Sequence, residues 1–321
     1  MMIKQVATAL SPRGKRGRLS VLIFHRVLPQ VDALFPHEQD VRRFDEVLSW
    51  VGRWFQVLSL EEAVVRLQNG GLPARAAAIT FDDGYADNAT QALPVLQHHG
   101  MMATFFVATG FLDGGRMWND SIIESIRAFP GKVLDLREVN LGAHPLETLP
   151  QRRAAIESLL GQIKYLEPAS RCAAVAFVKE SVALDLPENL MMSSRQVRQL
   201  HQAGMQIGAH TCTHPILARL PDVQALGEIQ GSKRTLEALI DEPVNLFAYP
   251  NGRPDNDYQA RHARMVQQAG FTGEVTTAPG AASMHSDVYQ LPRFSPWDKQ
   301  PFRYGARLVA NMLKTPQLAV I

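Results

Sequence analysis

Residues Ala76–Asn88 read AAAITFDDGYADN. The first six are small or apolar with β-branched Ile79 and Thr80, the pattern of a buried strand, and the run ends on two adjacent carboxylates, Asp82 and Asp83. Like charges placed side by side at the end of a buried segment are costly unless something positive lies between or beside them. The stretch therefore asks which fold presents acids at strand ends, and what cation accompanies them.

The flanking sequence answers the first question. Downstream, NATQALPVLQHHG reads as a helix stopped by Gly100, and MATFFVAT reads as the next strand. Upstream, RLSVLIFHRVL is a buried strand that delivers His25 at its carboxyl end, FDEVLSWVGRWF has helical spacing, and FQVLSL reads as a short strand. The same alternation returns in SSRQVRQLHQAG and MQIGAH, then in LGEIQGSKRTLEALI, VNLFAYPNG, ARHARMVQQAG, FTGEVTT and VYQLPRFS. Strands alternating with helices predict an α/β fold with a parallel sheet or barrel. Between Gly110 and Met192 the rhythm lapses into helical pieces such as WNDSIIESIRAF and RRAAIESLLGQI, which read as an insertion. No repeat or Pro/Gly-rich linker divides the chain. The expectation is a basic arm over 1–18, a single barrel domain over 19–298 with an insertion at about 111–192, and a helical tail over 299–321.

The 321 residues are 46% apolar and 20% charged with a net charge of +2, a soluble globular composition that excludes a strongly basic nucleic-acid binder. Cys172 and Cys212 do not make a disulfide framework and fit a reducing compartment. Arg13, Lys15, Arg16 and Arg18 follow the weak apolar stretch at the amino terminus, where a secretory signal has its charge first, so no signal peptide is expected. A cytoplasmic location is the expectation, with the basic arm and ARLVANMLKTPQLAVI leaving peripheral contact with the inner membrane open. The oligomeric state is not legible.

The carboxyl ends of strands, where α/β folds carry function, hold His25, Asp82–Asp83, His210 with His214, and Arg293. GAHTCTHP sets two histidines four apart after an apolar strand, which brings both imidazoles to one side; with a carboxylate they form a common set for a divalent transition metal. Each residue also has a plainer reading. An acid here can cap the following helix, the histidines can be bonded in a core, and Arg293 can be a structural ion-pair residue. Cys212 points elsewhere on the turn, His98 and His99 read as helix-end residues, and Trp118 and Trp297 suit either a sugar ring or a core.

TFDDGYADN, HTCTHP and FAYPNG, in this order, resemble the successive motifs of the polysaccharide deacetylase family, the metal-dependent carbohydrate esterases that include chitin and chito-oligosaccharide deacetylases. The resemblance runs from about Leu19 to about Asp298. It implies a distorted seven-stranded (β/α) barrel in which Asp83, His210 and His214 bind a divalent metal, with zinc the first choice, and Asp82 is the catalytic base. The metal would then be the positive partner of the acids. Two departures stand out. Ala248 and Asn251 occupy the arginine and tyrosine places of an Arg-Pro-Pro-Tyr-type motif, so the backbone N–H near Asn251 is left as oxyanion donor, and Arg293 is expected to replace the arginine. Leu291-Pro292-Arg293 replaces a Leu-x-His motif, and His25 resembles the acid histidine of an exopolysaccharide branch in which that residue lies near the amino terminus. The implied activity is removal of N-acetyl groups from an amino sugar of a glycan or glycolipid precursor. The alternatives are removal of another small acyl group, such as formyl, from a lipid-linked sugar, or a silent glycan-binding module.

Overall fold

The computed structural model describes residues 2–319. In chain order it contains α1 (Met2–Leu10), β1 (Leu19–Phe24), α2 (Val41–Trp54), β2 (Gln56–Val57), α3 (Leu60–Gln68), β3 (Ala76–Phe81), α4 (Leu93–His98) and β4 (Thr104–Val107). Then come α5 (Trp118–Ala128), β5 (Val133–Asp135), β6 (Ala143–Pro145), α6 (Leu149–Ile163) and α7 (Pro168–Val182). The series ends with α8 (Ser194–Gln202), β7 (Gln206–Ala209), α9 (Asp222–Ile240), β8 (Leu246–Ala248), α10 (Ala260–Gln268), β9 (Gly273–Val275) and α11 (Pro301–Asn311).

Seven parallel strands form one curled sheet in the order β1-β3-β4-β7-β8-β9, with β2 beside the first residues of β3. AAAITF is β3 throughout, and all six of its residues register against β1 from Leu19↔Ala76 to Phe24↔Phe81. Closure is made by a short segment rather than by β9 meeting β1. Leu291 bridges Val275 of β9, and two residues later Arg293 bridges Val21 of β1. Alternation then divides the side chains. Phe24, Phe81 and Phe105 turn outward under Phe44 of α2, with the Phe81 and Phe105 rings stacked at 4.9 Å. Val21, Ala76, Ala78, Phe106, Ala248 and Val275 turn inward, and the hydrophobic side of α3 joins that cluster. The inward set mixes small and large residues as a narrow barrel requires.

Ser59 caps α3 by accepting from the Glu62 N–H, which cuts the expected strand FQVLSL to Gln56–Val57. The helix expected over 88–100 begins as a π-helical turn, Asn88–Ala92, before α4. The terminal segments also differ from expectation. The basic arm starts with α1, whose Ile3 and Ala7 are buried, and α11 occupies only the first half of the expected helical tail.

The chain divides into two compact units, one comprising residues 2–30, 39–113 and 192–319, the other Val31–Glu38 with Gly114–Met191. The single domain expected over 19–298 thus spans two compact units, and residues 31–38, ahead of the expected insertion, belong to the second. That second unit has its own core, in which Leu34 joins Ile122, Ile126 and Leu159. Arg127 is paired with Asp32, and Arg153 donates to the Ala33 and Leu34 carbonyls. Polar contacts made across about a hundred residues leave no periodic trace in sequence. The β5–β6 hairpin and α7, also unanticipated, belong to this unit.

Gly208 of β7 lies against Phe106, where a Cβ would come within 2.4 Å of the ring. Gly208→Ala is therefore expected to lower stability by ~1–3 kcal/mol, read from the urea midpoint, and Phe106→Leu in the same chain to restore part of the loss. Equal midpoints for wild type and Gly208→Ala would show that the interior has slack.

Candidate active site

Every strand of the sheet points its carboxyl end the same way, and the residues singled out in the sequence gather there. After β3 the chain turns sharply, with Asp83 at φ 78° and Gly84 at φ 89°. Two consecutive positive φ values explain why glycine follows the acids, since a Cβ at Gly84 would also press on Val107 at 3.1 Å. Thr211 and His214, at φ 65° and 52°, show the same strain in the loop after β7, and a β-branched residue rarely adopts such a conformation.

Asp82 and Asp83 turn to different partners. Asp82 is 3% exposed and held in a two-pronged ion pair by Arg293, with Nη1–Oδ1 2.6 Å and Nη2–Oδ2 2.7 Å. Arg293 is itself 1% exposed, and it also donates to the Thr276 carbonyl and to Thr80 Oγ1. Burial alone would raise the Asp82 pKa, but the Arg293 charge and then that of His210 outweigh it and hold the carboxyl below its ordinary range. A guanidinium is thus the direct partner of the first acid, a role the sequence reading had given mainly to a metal.

Asp83 faces the histidines, with His210 Nε2 and His214 Nε2 each 3.4 Å from its Oδ1. Ligand atoms of the three residues lie within 4.8 Å of one another. His210 Nδ1 is 2.7 Å from the Ala248 carbonyl, which can only accept, so Nδ1 carries a proton and Nε2 is turned to the carboxylate. When neutral, His210 presents a lone pair to a carboxylate oxygen. That contact needs a positive charge, either a second proton on the ring or a cation between the groups. Burial opposes charging His210, yet Asp82 and Asp83 outweigh it and raise its pKa. Burial is the largest influence on His214 and pushes it down to about 4, which leaves a neutral imidazole at neutral pH. Asp83 is held well below the usual carboxylate range, because the His210 hydrogen bond and, in the acid range where that ring is protonated, the His214 charge overcome its burial. One carboxylate and two imidazoles with a fixed outer hydrogen bond fit a divalent transition metal.

His25 follows β1 directly and is exposed, and its charge bears on Asp82, Asp83 and His214. Asn251 follows β8 in a tight turn at φ 58°, its carbonyl accepting from Thr277 Oγ1 at 2.7 Å while Thr277 N–H donates to Gly252. Behind this turn Tyr249 is hydrogen-bonded to Glu274, whose pKa burial pushes well above the usual carboxylate range.

The sequence profile described as Polysaccharide deacetylase matches residues 69–133 and 168–273, more than half of the chain. The chain belongs to the polysaccharide deacetylase family. It is accordingly a hydrolase of carbon–nitrogen bonds other than peptide bonds. Among curated proteins it is similar to YxkH of Bacillus subtilis (strain 168), itself a provisional polysaccharide deacetylase, at 23% identity over 281 residues, 87% of this chain and 71% of that one. Among solved structures it is similar in fold to the deacetylase PplD of Streptococcus pyogenes, with a TM-score of 0.60 at 19% identity, covering 92% of this chain and 99% of that chain. IcaB from Ammonifex degensii gives a TM-score of 0.59 at 18% identity, covering 94% and 98%.

Three residues of this family member that sequence reading passed over hold the site in shape. Asn88 Nδ2 donates to the His25 carbonyl, and Asp87 takes the Val27 N–H and the Arg26 guanidinium, so the loop after β1 is tied to the one after β3. Both lie in the quoted ADN, where a polar pair entering a helix was the available signal. Glu228 of α9 accepts the Cys212 and Thr213 N–H groups and the Thr213 hydroxyl, each at 2.8 Å, and so clamps the strained turn between the two histidines. Cys212 Sγ is turned toward the Glu228 carbonyl. Trp297 is exposed, and Trp118 packs on the core of the second unit.

Glu228→Ala is expected to leave the fold intact and to weaken binding of added Zn²⁺ by ~10–100-fold in calorimetry. An unchanged affinity would show that the loop keeps its shape without the clamp.

Proposed function

We propose that the protein is a metal-dependent N-deacetylase acting on an amino sugar within a polysaccharide, oligosaccharide or glycolipid precursor. The observation that carries this reading is the pairing of two differently partnered buried acids: Asp82 locked by a buried guanidinium, Asp83 turned to two imidazoles. Adjacent carboxylates sent to different cations have different tasks.

In this reading Asp83, His210 and His214 hold the cation, and the donor set favours zinc. Bound there, it supplies Lewis acidity toward the amide carbonyl and lowers the pKa of water. Asp82 accepts the proton of the attacking water, and Arg293 keeps it ionised and aimed. His25, exposed at the mouth and tethered through Asn88, returns a proton to the leaving amine. The Asn251 N–H, at the tip of a turn fixed by Thr277, serves the developing oxyanion. The buried Arg293 supplies the guanidinium that Ala248 cannot, which weakens one of the two grounds for a silent glycan-binding module.

Acetate release from N-acetylglucosamine oligomers tests the reading. Asp82→Asn and His25→Ala are each expected to lower kcat by at least ~100-fold with metal affinity retained. An active Asp82→Asn would remove the base assignment, and a chelator-treated, metal-free protein of full activity would remove the metal.

The Arg293–Asp82 pair also sets a pH dependence. Because the folded-state pKa of Asp82 is depressed, its ionised form persists as pH falls, and activity is lost only on passing below that low value. In Arg293→Met burial dominates, so the acid limb of kcat/KM is expected to move upward by ~1–3 pH units. A limb that stays in place would show that the limiting ionisation is not that of Asp82.

A further inference from the structure

The two ends of the chain meet on one flank of the barrel. Ile3 of α1 packs so closely on Gly305 of α11 that a Cβ there would lie 3.0 Å from its side chain, with Trp54 of α2 equally near. At the other end of the pair, Ser11 exchanges hydrogen bonds with Arg18, whose guanidinium reaches the Met312 carbonyl at 2.6 Å. Eight residues along α1 thus match seven along α11, so the helices run parallel. Each turns a buried stripe to the core, Ile3 and Ala7 on α1, Tyr304, Leu308 and Met312 near and on α11.

Each helix also carries a second apolar stripe that the fold leaves largely exposed. On α1 it is Met2, Val6 and Ala9, all exposed. On α11 and its continuation it is Phe302 and Leu313, 57% and 65% exposed, with half-buried Ala306 and Val309 between them. At 100° per residue the first stripe lies to one side of Ile3 and the second to the opposite side of Gly305 in the sense of helical rotation. In a parallel pair those two sides face the same way, so the stripes join into one outward apolar strip. Monomeric proteins rarely leave such a strip without a partner.

Charge identifies the partner. Residues 1–18 and 299–321 together carry nine of the 33 lysines and arginines and none of the 31 aspartates and glutamates, although the whole chain is only +2. The remainder is therefore net acidic. Lys4 and Arg303 are exposed on these helices and Lys314 just beyond α11, and Arg307, paired with Asp298, lies over the exposed Trp297 ring at 4.5 Å. Apolar side chains rimmed by cations, with Asp298 already neutralised by Arg307 as the acid at its edge, match a surface of anionic lipid. A second copy of the chain matches poorly, since a symmetric pairing would set this cationic face against itself. We infer that the α1–α11 flank is a docking surface for an anionic phospholipid bilayer, with Met2, Val6, Phe302 and Leu313 entering the headgroup boundary. No helix among the described residues is long and apolar enough to cross a membrane, so the contact is peripheral.

Vesicle flotation of the full chain tests this, with phosphatidylglycerol–phosphatidylcholine vesicles beside phosphatidylcholine alone. Binding is expected to the mixed vesicles only and to fall with added salt. Arg303→Glu with Lys314→Glu should weaken it by ~10-fold or more. Phe302→Ser should weaken it by roughly 10-fold while keeping the fold and wild-type acetate release from a soluble oligomer. Equal binding to both vesicle types overturns the charge argument and the proposal with it. So does failure to bind accompanied by concentration-dependent dimers that Phe302→Ser abolishes, which would make the strip a protein interface. Binding does not depend on turnover, so the lipid reading and the deacetylase reading can fail separately.

Discussion

The pair between Arg293 and Asp82 joins the fold to its chemistry. Arg293 belongs to the short segment that bridges β9 to β1 and so closes the sheet, and its guanidinium crosses the interior to an acid at the end of β3. Either charge buried alone would be costly, and breaking such a pair by removing one partner commonly costs ~3–5 kcal/mol. Each half therefore requires the other. Closure that failed to seat Arg293 would strand Asp82 in a wall of Phe, Thr and Ala, and an Asp82 without the guanidinium would lose its low pKa. The geometry that holds this acid in its ionised form is also a condition of barrel closure.

Around that pair, strained backbone recurs where the strands hand over to loops. Asp83, Thr211, His214 and Asn251 all adopt positive φ, and all four lie at carboxyl ends of strands in the sheet. Such conformations persist only where surrounding bonds over-determine them. Glu228 over-determines the histidine turn, Thr277 the Asn251 turn, and the Asp83 carbonyl accepts from Ala108. The rigid interior of Phe106 against Gly208 beneath them gives these loops a fixed floor.

Much of this was legible in the sequence because it rests on local pattern. AAAITF followed by DD marked the strand and its carboxyl end, and two histidines four apart at the end of MQIGAH and beyond it marked their own loop. Even Arg293, far away in the chain, could be reached from a vacancy at Ala248. What escaped has a different physical character. α3 is a nine-residue helix whose hydrophobic side closes the amino-terminal end of the barrel, and nothing in LEEAVVRLQ distinguishes a plug from an ordinary surface helix. Residues 31–38 belong to the second unit through guanidinium contacts to carbonyls and one acid, which have no period to read. Glu228 lies mid-helix among other polar residues, and only the folded chain shows that its carboxylate holds a loop from the preceding strand.

The basic character of the amino-terminal residues was visible from the start, yet its meaning changed with the fold. Read alone, residues 1–18 look like a solvated arm whose cations need no explanation. Folded, they place a helix beside α11, and the two segments devoid of acids become one surface. α11 begins a few residues beyond Arg293 and ends near the start of β1, so that surface runs along the barrel from the end bearing Asp82 and Asp83 to the opposite one. An enzyme resting on that flank would lie with the axis of its sheet along the bilayer and its site opening beside the surface rather than away from it. A substrate held by a lipid anchor would then meet His25 and Asp82 without leaving the membrane, which gives a glycolipid precursor a geometric advantage over a free oligomer of the same sugar.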